Sequence, residues 1–183
     1  MPRDLPIGNG KILVNFDGSY NLRDLYFPHV GMENQTEGHP IRFGVWADGV
    51  MKWIWDGWKI DMKYVPDTLV TDVHCIHPQL KLELFCRDCI DFHIWVLLRE
   101  VIVKDLAGKD RDVRLFYNHE FSIKENEVGD TAYYDPRTSS IVHYKQNRYF
   151  LINLCTPTKC GVDHFATGIH DRGGYEGTWR DAE

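Results

Sequence analysis

The sequence contains no apolar run long enough to cross a bilayer. A spanning helix takes roughly 18–20 apolar residues, whereas the longest uninterrupted run here covers only residues 94–98. The opening Met-Pro-Arg-Asp-Leu-Pro-Ile-Gly also lacks the apolar centre of a secretory signal. Charge of one sign is never concentrated. The 21 Lys and Arg and 27 Asp and Glu are interspersed and leave a net charge of −6. A phosphate backbone needs a basic stripe or patch, so no nucleic-acid partner is expected. Five cysteines are few and odd in number, with no framework spacing. That usage points to a reducing cytoplasm, where the sequon Asn34-Gln35-Thr36 would carry no glycan. Gly-x-Ser-x-Gly and the glycine-rich phosphate loops are missing too, which removes two common site architectures.

Helical periodicity is absent as well, and the chain offers short alternating segments instead. Residues 11–16, 51–55, 58–64, 80–84, 111–121, 141–144 and 149–154 read as strands set off by turns at Asp17-Gly18, Asp48-Gly49, Asp56-Gly57, Gly108, Asp135-Pro136 and Gln146-Asn147. Residues 92–103 are almost all apolar, which predicts a central strand covered on both faces. With 183 residues, enough for a sizeable core, the pattern predicts one all-β antiparallel sandwich over 1–167, followed by a Gly-rich charged tail at 168–183.

Between two extended pieces, residues 27–40 cannot be regular structure, because Pro28, Gly31, Gly38 and Pro40 break any ladder or helix. This stretch carries His29, Glu33, Asn34, Gln35, Thr36, Glu37 and His39. Such a loop is either ordinary surface, a site, or a contact with a neighbouring domain. Trp53 and Trp55, two apart, are expected on one strand face. Aromatic rows of this kind stack sugar rings or fill sandwich cores.

Glycoside hydrolysis requires two carboxyl groups facing each other across a cleft. Asp88 and Asp91 are the nearest acidic pair in an apolar setting, but three apart on a strand they point to opposite faces. No catalytic residue is assigned. Cys86-Arg87-Asp88-Cys89, with His74-Cys75-Ile76-His77 upstream, has zinc-like spacing but sits in an alternating apolar pattern that would splay Cys86 from Cys89. Buried free thiols are the reading preferred, and no metal is expected.

The segment Leu5-Pro6-Ile7-Gly8-Asn9-Gly10-Lys11-Ile12-Leu13-Val14-Asn15-Phe16, with Asn21-Leu22-Arg23-Asp24-Leu25-Tyr26-Phe27-Pro28-His29-Val30-Gly31, resembles the start of prokaryotic glucoamylase-like proteins of glycoside hydrolase family 15. Phe165-Ala166-Thr167-Gly168 and Gly177-Thr178-Trp179-Arg180-Asp181-Ala182-Glu183 are similar to the end of that family's amino-terminal domain. The resemblance implies an antiparallel β-supersandwich that precedes a catalytic (α/α)6 barrel in the same polypeptide. The two catalytic glutamates would lie on that barrel, beyond this chain. It further implies inverting hydrolysis of an α-glucan or α-glucoside substrate, with no cofactor. Tyr26, His29, Glu33, Asn34 and His39 are then expected to face the barrel or the sugar, and an isolated domain should expose an unusually large apolar patch. The rival expectation is a stand-alone carbohydrate-binding module stacking sugars on Trp53 or Trp55.

Overall fold

The computed structural model describes residues 4–126 and 128–168. They form thirteen strands and, among the described residues, no helix. In chain order these are β1 (Leu5–Gly8), β2 (Leu13–Phe16), β3 (Leu22–Tyr26), β4 (Arg42–Ala47), β5 (Val50–Trp53), β6 (Lys59–Tyr64), β7 (Thr71–His77), β8 (Leu82–Ile90), β9 (Leu97–Asp105), β10 (Val113–Asn118), β11 (Thr131–Asp135), β12 (Ser140–Lys145) and β13 (Arg148–Ile152). They assemble into four antiparallel sheets ordered β1-β2-β3, β10-β4-β5, β6-β7-β8-β9 and β11-β12-β13. The all-β antiparallel class read from the alternation is the fold observed.

Alternation makes the core. Val73, Cys75 and His77 on β7 and Leu82, Leu84, Cys86 and Asp88 on β8 point inward, while the residues between them stay half-buried or exposed. The first three sheets share one interior through Phe16, Tyr20, Phe43, Val45, Val73, Leu82 and Leu84. Full burial of each large aliphatic or aromatic side chain stabilises by about 1.5–3 kcal/mol. The β11-β12-β13 sheet joins this interior through Phe150 and Ile152, and Phe121 stacks on Phe150 at 4.8 Å. Asp48-Gly49 closes the β4–β5 hairpin with both residues at positive φ (52° and 81°), the geometry of a tight hairpin turn.

Residues 92–103 depart from the expectation of a central, doubly covered strand. The chain leaves β8 at Ile90 and turns at Asp91, whose Oδ1 accepts from the backbone N–H of His93 and Ile94. Phe92 and Trp95 are left 80% and 61% exposed. β9 begins only at Leu97 and is the terminal strand of its sheet. An apolar run says that a segment prefers burial, but not whether this chain supplies the cover. Gly108 does not join two partners either, because β9 and β10 belong to different sheets. Of the cysteines, Cys75, Cys86 and Cys89 are free thiols, as expected, whereas Cys155 and Cys160 form a disulfide. Most of the Gly-rich tail lies outside the described residues.

Candidate functional site

The 27–40 stretch is a folded loop pinned at both ends by bridges, Tyr26 to Asn34 and Leu22 to Ile41. Its middle is a hydrogen-bond hub. Asn34 Oδ1 accepts from the Leu25 N–H and from the N–H and hydroxyl of Thr36, and Asn34 Nδ2 donates to Asp24. Gln35 is fully buried; its Nε2 donates to the Phe27 carbonyl at 2.6 Å and its Oε1 accepts from the Lys124 N–H. Glu33 binds Arg148 Nη2 at 2.9 Å and Nε at 3.2 Å, and those hydrogen bonds hold its carboxyl below the usual carboxylate range. Glu33 and Asn34 therefore shape the loop, while Tyr26 is half-buried in β3. His29 is exposed at the tip beside Val30 and Met32, and Met32 is 71% exposed.

A second loop, residues 91–96, converges on the first. The Trp95 ring lies 5.4 Å from Phe27, and Phe27 meets Phe150 edge-on at 6.0 Å. Asn9 fastens the second loop by donating to the Asp91 carbonyl at 2.7 Å. The two loops thus present Val30, Met32, Phe92, Ile94 and Trp95 to solvent.

His39, at the far end of the loop, belongs to a different arrangement on the outward face of β4, β5 and β10. Its Nδ1 lies 3.8 Å from Glu120, which accepts from Arg42 at 2.9 Å, and Arg42 lies over the Trp55 ring at 6.0 Å. Trp53 and Trp55 stack on one another, with centroids 5.6 Å apart and planes 5° apart. They do not share a strand face, because β5 ends at Trp53 and a turn closed by Asp56 N–H donating to the Trp53 carbonyl places Trp55. Gly44 makes room for this pair. A Cβ there would meet Met51 Cε at 2.4 Å and Trp53 Cε3 at 2.9 Å. Gly44→Ala should therefore cost about 1–3 kcal/mol by overpacking, read as a lower Tm together with a changed near-ultraviolet tryptophan signal.

The acidic pair considered from sequence is not a reaction centre. Asp88 is fully buried: its Oδ1 accepts from Arg99 Nε at 2.6 Å, and its Oδ2 accepts from the hydroxyls of Thr71 (2.8 Å) and Tyr20. Arg99 also sits 4.9–5.5 Å from the centres of the Tyr20, Phe16 and Phe43 rings. Burial opposes its charge, yet Asp88 and the neighbouring tyrosines hold the guanidinium protonated. Burial first, and Asp88 among lesser causes, pushes the Tyr20 hydroxyl well up, and burial pushes Tyr117 up to about 12. Asp91 is a turn cap. The Asp88–Arg99 cluster was missed in the sequence, although one acid and one arginine inside apolar alternation are its signal.

Cys86 points into the core while Cys89 is half-buried on the other side of Asp88, and burial raises the Cys89 thiol. Among the described residues no group of three His, Cys, Asp or Glu could hold a metal ion. No helix of the described residues is long and apolar enough to cross a membrane.

Fold and surface together define an all-β antiparallel domain with exposed apolar side chains on two neighbouring loops. In sequence the chain is similar to an uncharacterized glycosyl hydrolase of Methanocaldococcus jannaschii, 27% identical over 163 residues. The match covers 88% of this chain and 25% of that protein, so the chain spans about a quarter of its relative's length. No protein-family model matches the chain, and no solved structure matches it significantly.

Proposed function

We propose that this chain is the non-catalytic β-domain of a longer glycoside hydrolase, docking through the 27–40 and 91–96 loops on a catalytic domain of the same polypeptide. The carrying observation is the coverage: almost all of this chain matches a quarter of a protein named glycosyl hydrolase. The site geometry agrees with it, since Asp88 is held by Arg99 and Asp91 caps a turn, leaving this candidate pair without a cleft to face across. In the reading the resemblance supplies, the partner is an (α/α)6 barrel that hydrolyses α-glucosidic bonds with inversion. There one carboxylic acid protonates the leaving oxygen while a carboxylate activates water. His29, Met32 and Trp95 would lie at the barrel wall, and Glu33, Asn34 and Tyr26 would hold the loop that carries them.

The purified chain should release no glucose from maltose, malto-oligosaccharides, dextran or trehalose, and should give no heat with maltoheptaose. In the full-length polypeptide, Trp95→Ala and Met32→Ser should lower the Tm or turnover. Glucose release by the chain alone would overturn the reading. Micromolar binding of maltoheptaose, abolished by Trp55→Ala, would establish the carbohydrate-binding module instead.

A further inference from the structure

The outer edge of β9 is a nine-residue template with no strand against it among the described residues. Natural sheets guard such edges with short strands, bulges, prolines or inward-pointing charges. β9 is long, carries no proline, and pairs without interruption along β8 from Leu97 to Asp105, and its buried charge, Arg99, is neutralised by Asp88 within the sheet. Its outward face reads Leu98, Glu100, Ile102, Lys104, and Leu106 follows one residue beyond the strand. Leu98, Ile102 and Leu106 are 51%, 54% and 46% exposed; Glu100 is exposed beside them, and so is Lys104, whose Nζ lies 3.5 Å from Glu83 of β8 in a solvent-screened pair worth little.

That order is complementary to its own reverse. Antiparallel pairing centred on Ile102 sets Ile102 opposite Ile102, Glu100 opposite Lys104, Lys104 opposite Glu100, and Leu98 opposite Leu106. The inward face obeys the same symmetry, with Val101 opposite Val103. Opposite charges directly across an antiparallel pair stabilise it and like charges oppose it. A two-fold axis through one residue pair generates the isologous contact of a closed dimer, in which residue i meets j and j meets i. A register slip by one residue would lose both charge pairs and set Ile102 against a residue of the other face.

We propose that β9 pairs antiparallel with β9 of a second copy of this chain, centred on Ile102, joining two four-stranded sheets into one. This interface and the two-loop docking role fail independently, because they use different residues.

Sedimentation velocity of the chain at micromolar concentration reads the prediction directly. The wild type should sediment at twice the chain mass. Glu100→Lys sets lysine against Lys104 at both ends, and Lys104→Glu sets glutamate against Glu100. Each single variant should weaken the dimer about tenfold or more while keeping the wild-type circular dichroism. The double variant E100K/K104E restores opposite charges and should restore the dimer. A monomeric wild type overturns the proposal. So does a dimer indifferent to the single variants, or a double variant as weak as either single one.

Discussion

Arg99→Leu is expected to lower the unfolding free energy by about 3–5 kcal/mol, the cost of leaving one member of a buried ion pair without its partner. Asp88 would remain at the centre of the core with only the Thr71 and Tyr20 hydroxyls as donors. The rings of Phe16, Tyr20 and Phe43 would lose the cation they surround. The double variant D88L/R99L should recover part of the loss, since it removes the stranded charge and replaces it with apolar volume. Full recovery is not expected, because Thr71 and Tyr20 would then lack their acceptor. Urea unfolding of the two single variants and the double variant measures the coupling. A loss below about 1 kcal/mol for Arg99→Leu would mean that the pair behaves like an exposed one.

Acid should destabilise this protein through two histidines, His119 and His143. Burial pushes His119 down to about 3, with His143 and Arg99 adding to the effect, and burial alone pushes His143 down to about 4. Their rings lie 5.9 Å apart; His119 stacks between Tyr117 and Phe121, and Phe121 also packs on His143 at 4.8 Å. In the unfolded chain both would titrate at about 6.5. Between those values the unfolded chain binds more protons than the folded one, so stability rises with pH across this window. The contribution is complete above about pH 6.5 and is lost as the pH falls toward 4 and 3. At about 1.4 kcal/mol for each pH unit separating the two pKa values, and allowing for partial solvent access, the pair should contribute about 2–4 kcal/mol at pH 7 that is missing near pH 4.5. The urea midpoint should fall accordingly, and H119F/H143F should flatten that fall. The Glu33 and Asp24 carboxylates, both held below their ordinary range, add their own loss at lower pH. An unchanged slope between pH 6.5 and 4.5 in the double variant would remove the histidines as its cause.

These two clusters show where sequence reading stops. Asp88 and Arg99 lie eleven residues apart and meet only because β8 and β9 pair in the register that sets Asp88 opposite Arg99. His119, one residue past β10, meets His143 on β12 of another sheet, beyond the reach of any local spacing rule. The polar loop was legible as a break between strands, yet its residues parted company. Asn34 and Gln35 were consumed by backbone groups, Glu33 went to Arg148, His39 went to Glu120, and His29 alone of the candidates stands at the exposed tip. Hydrogen-bonding capacity was visible, and its destination was not.

The sequence alone determined the all-β antiparallel class, because a period-two alternation punctuated by Asp-Gly turns admits little else. It also determined the splaying of Cys86 from Cys89, which follows from strand geometry. Tertiary structure decided which apolar segment would be covered: 92–103 carries a core-like composition, but its strand took the last place in its sheet and its loop went outward to Phe27. Composition sets how much burial a segment favours. Which neighbour provides that burial depends on long-range packing, and among the described residues no strand covers the outer edge of β9.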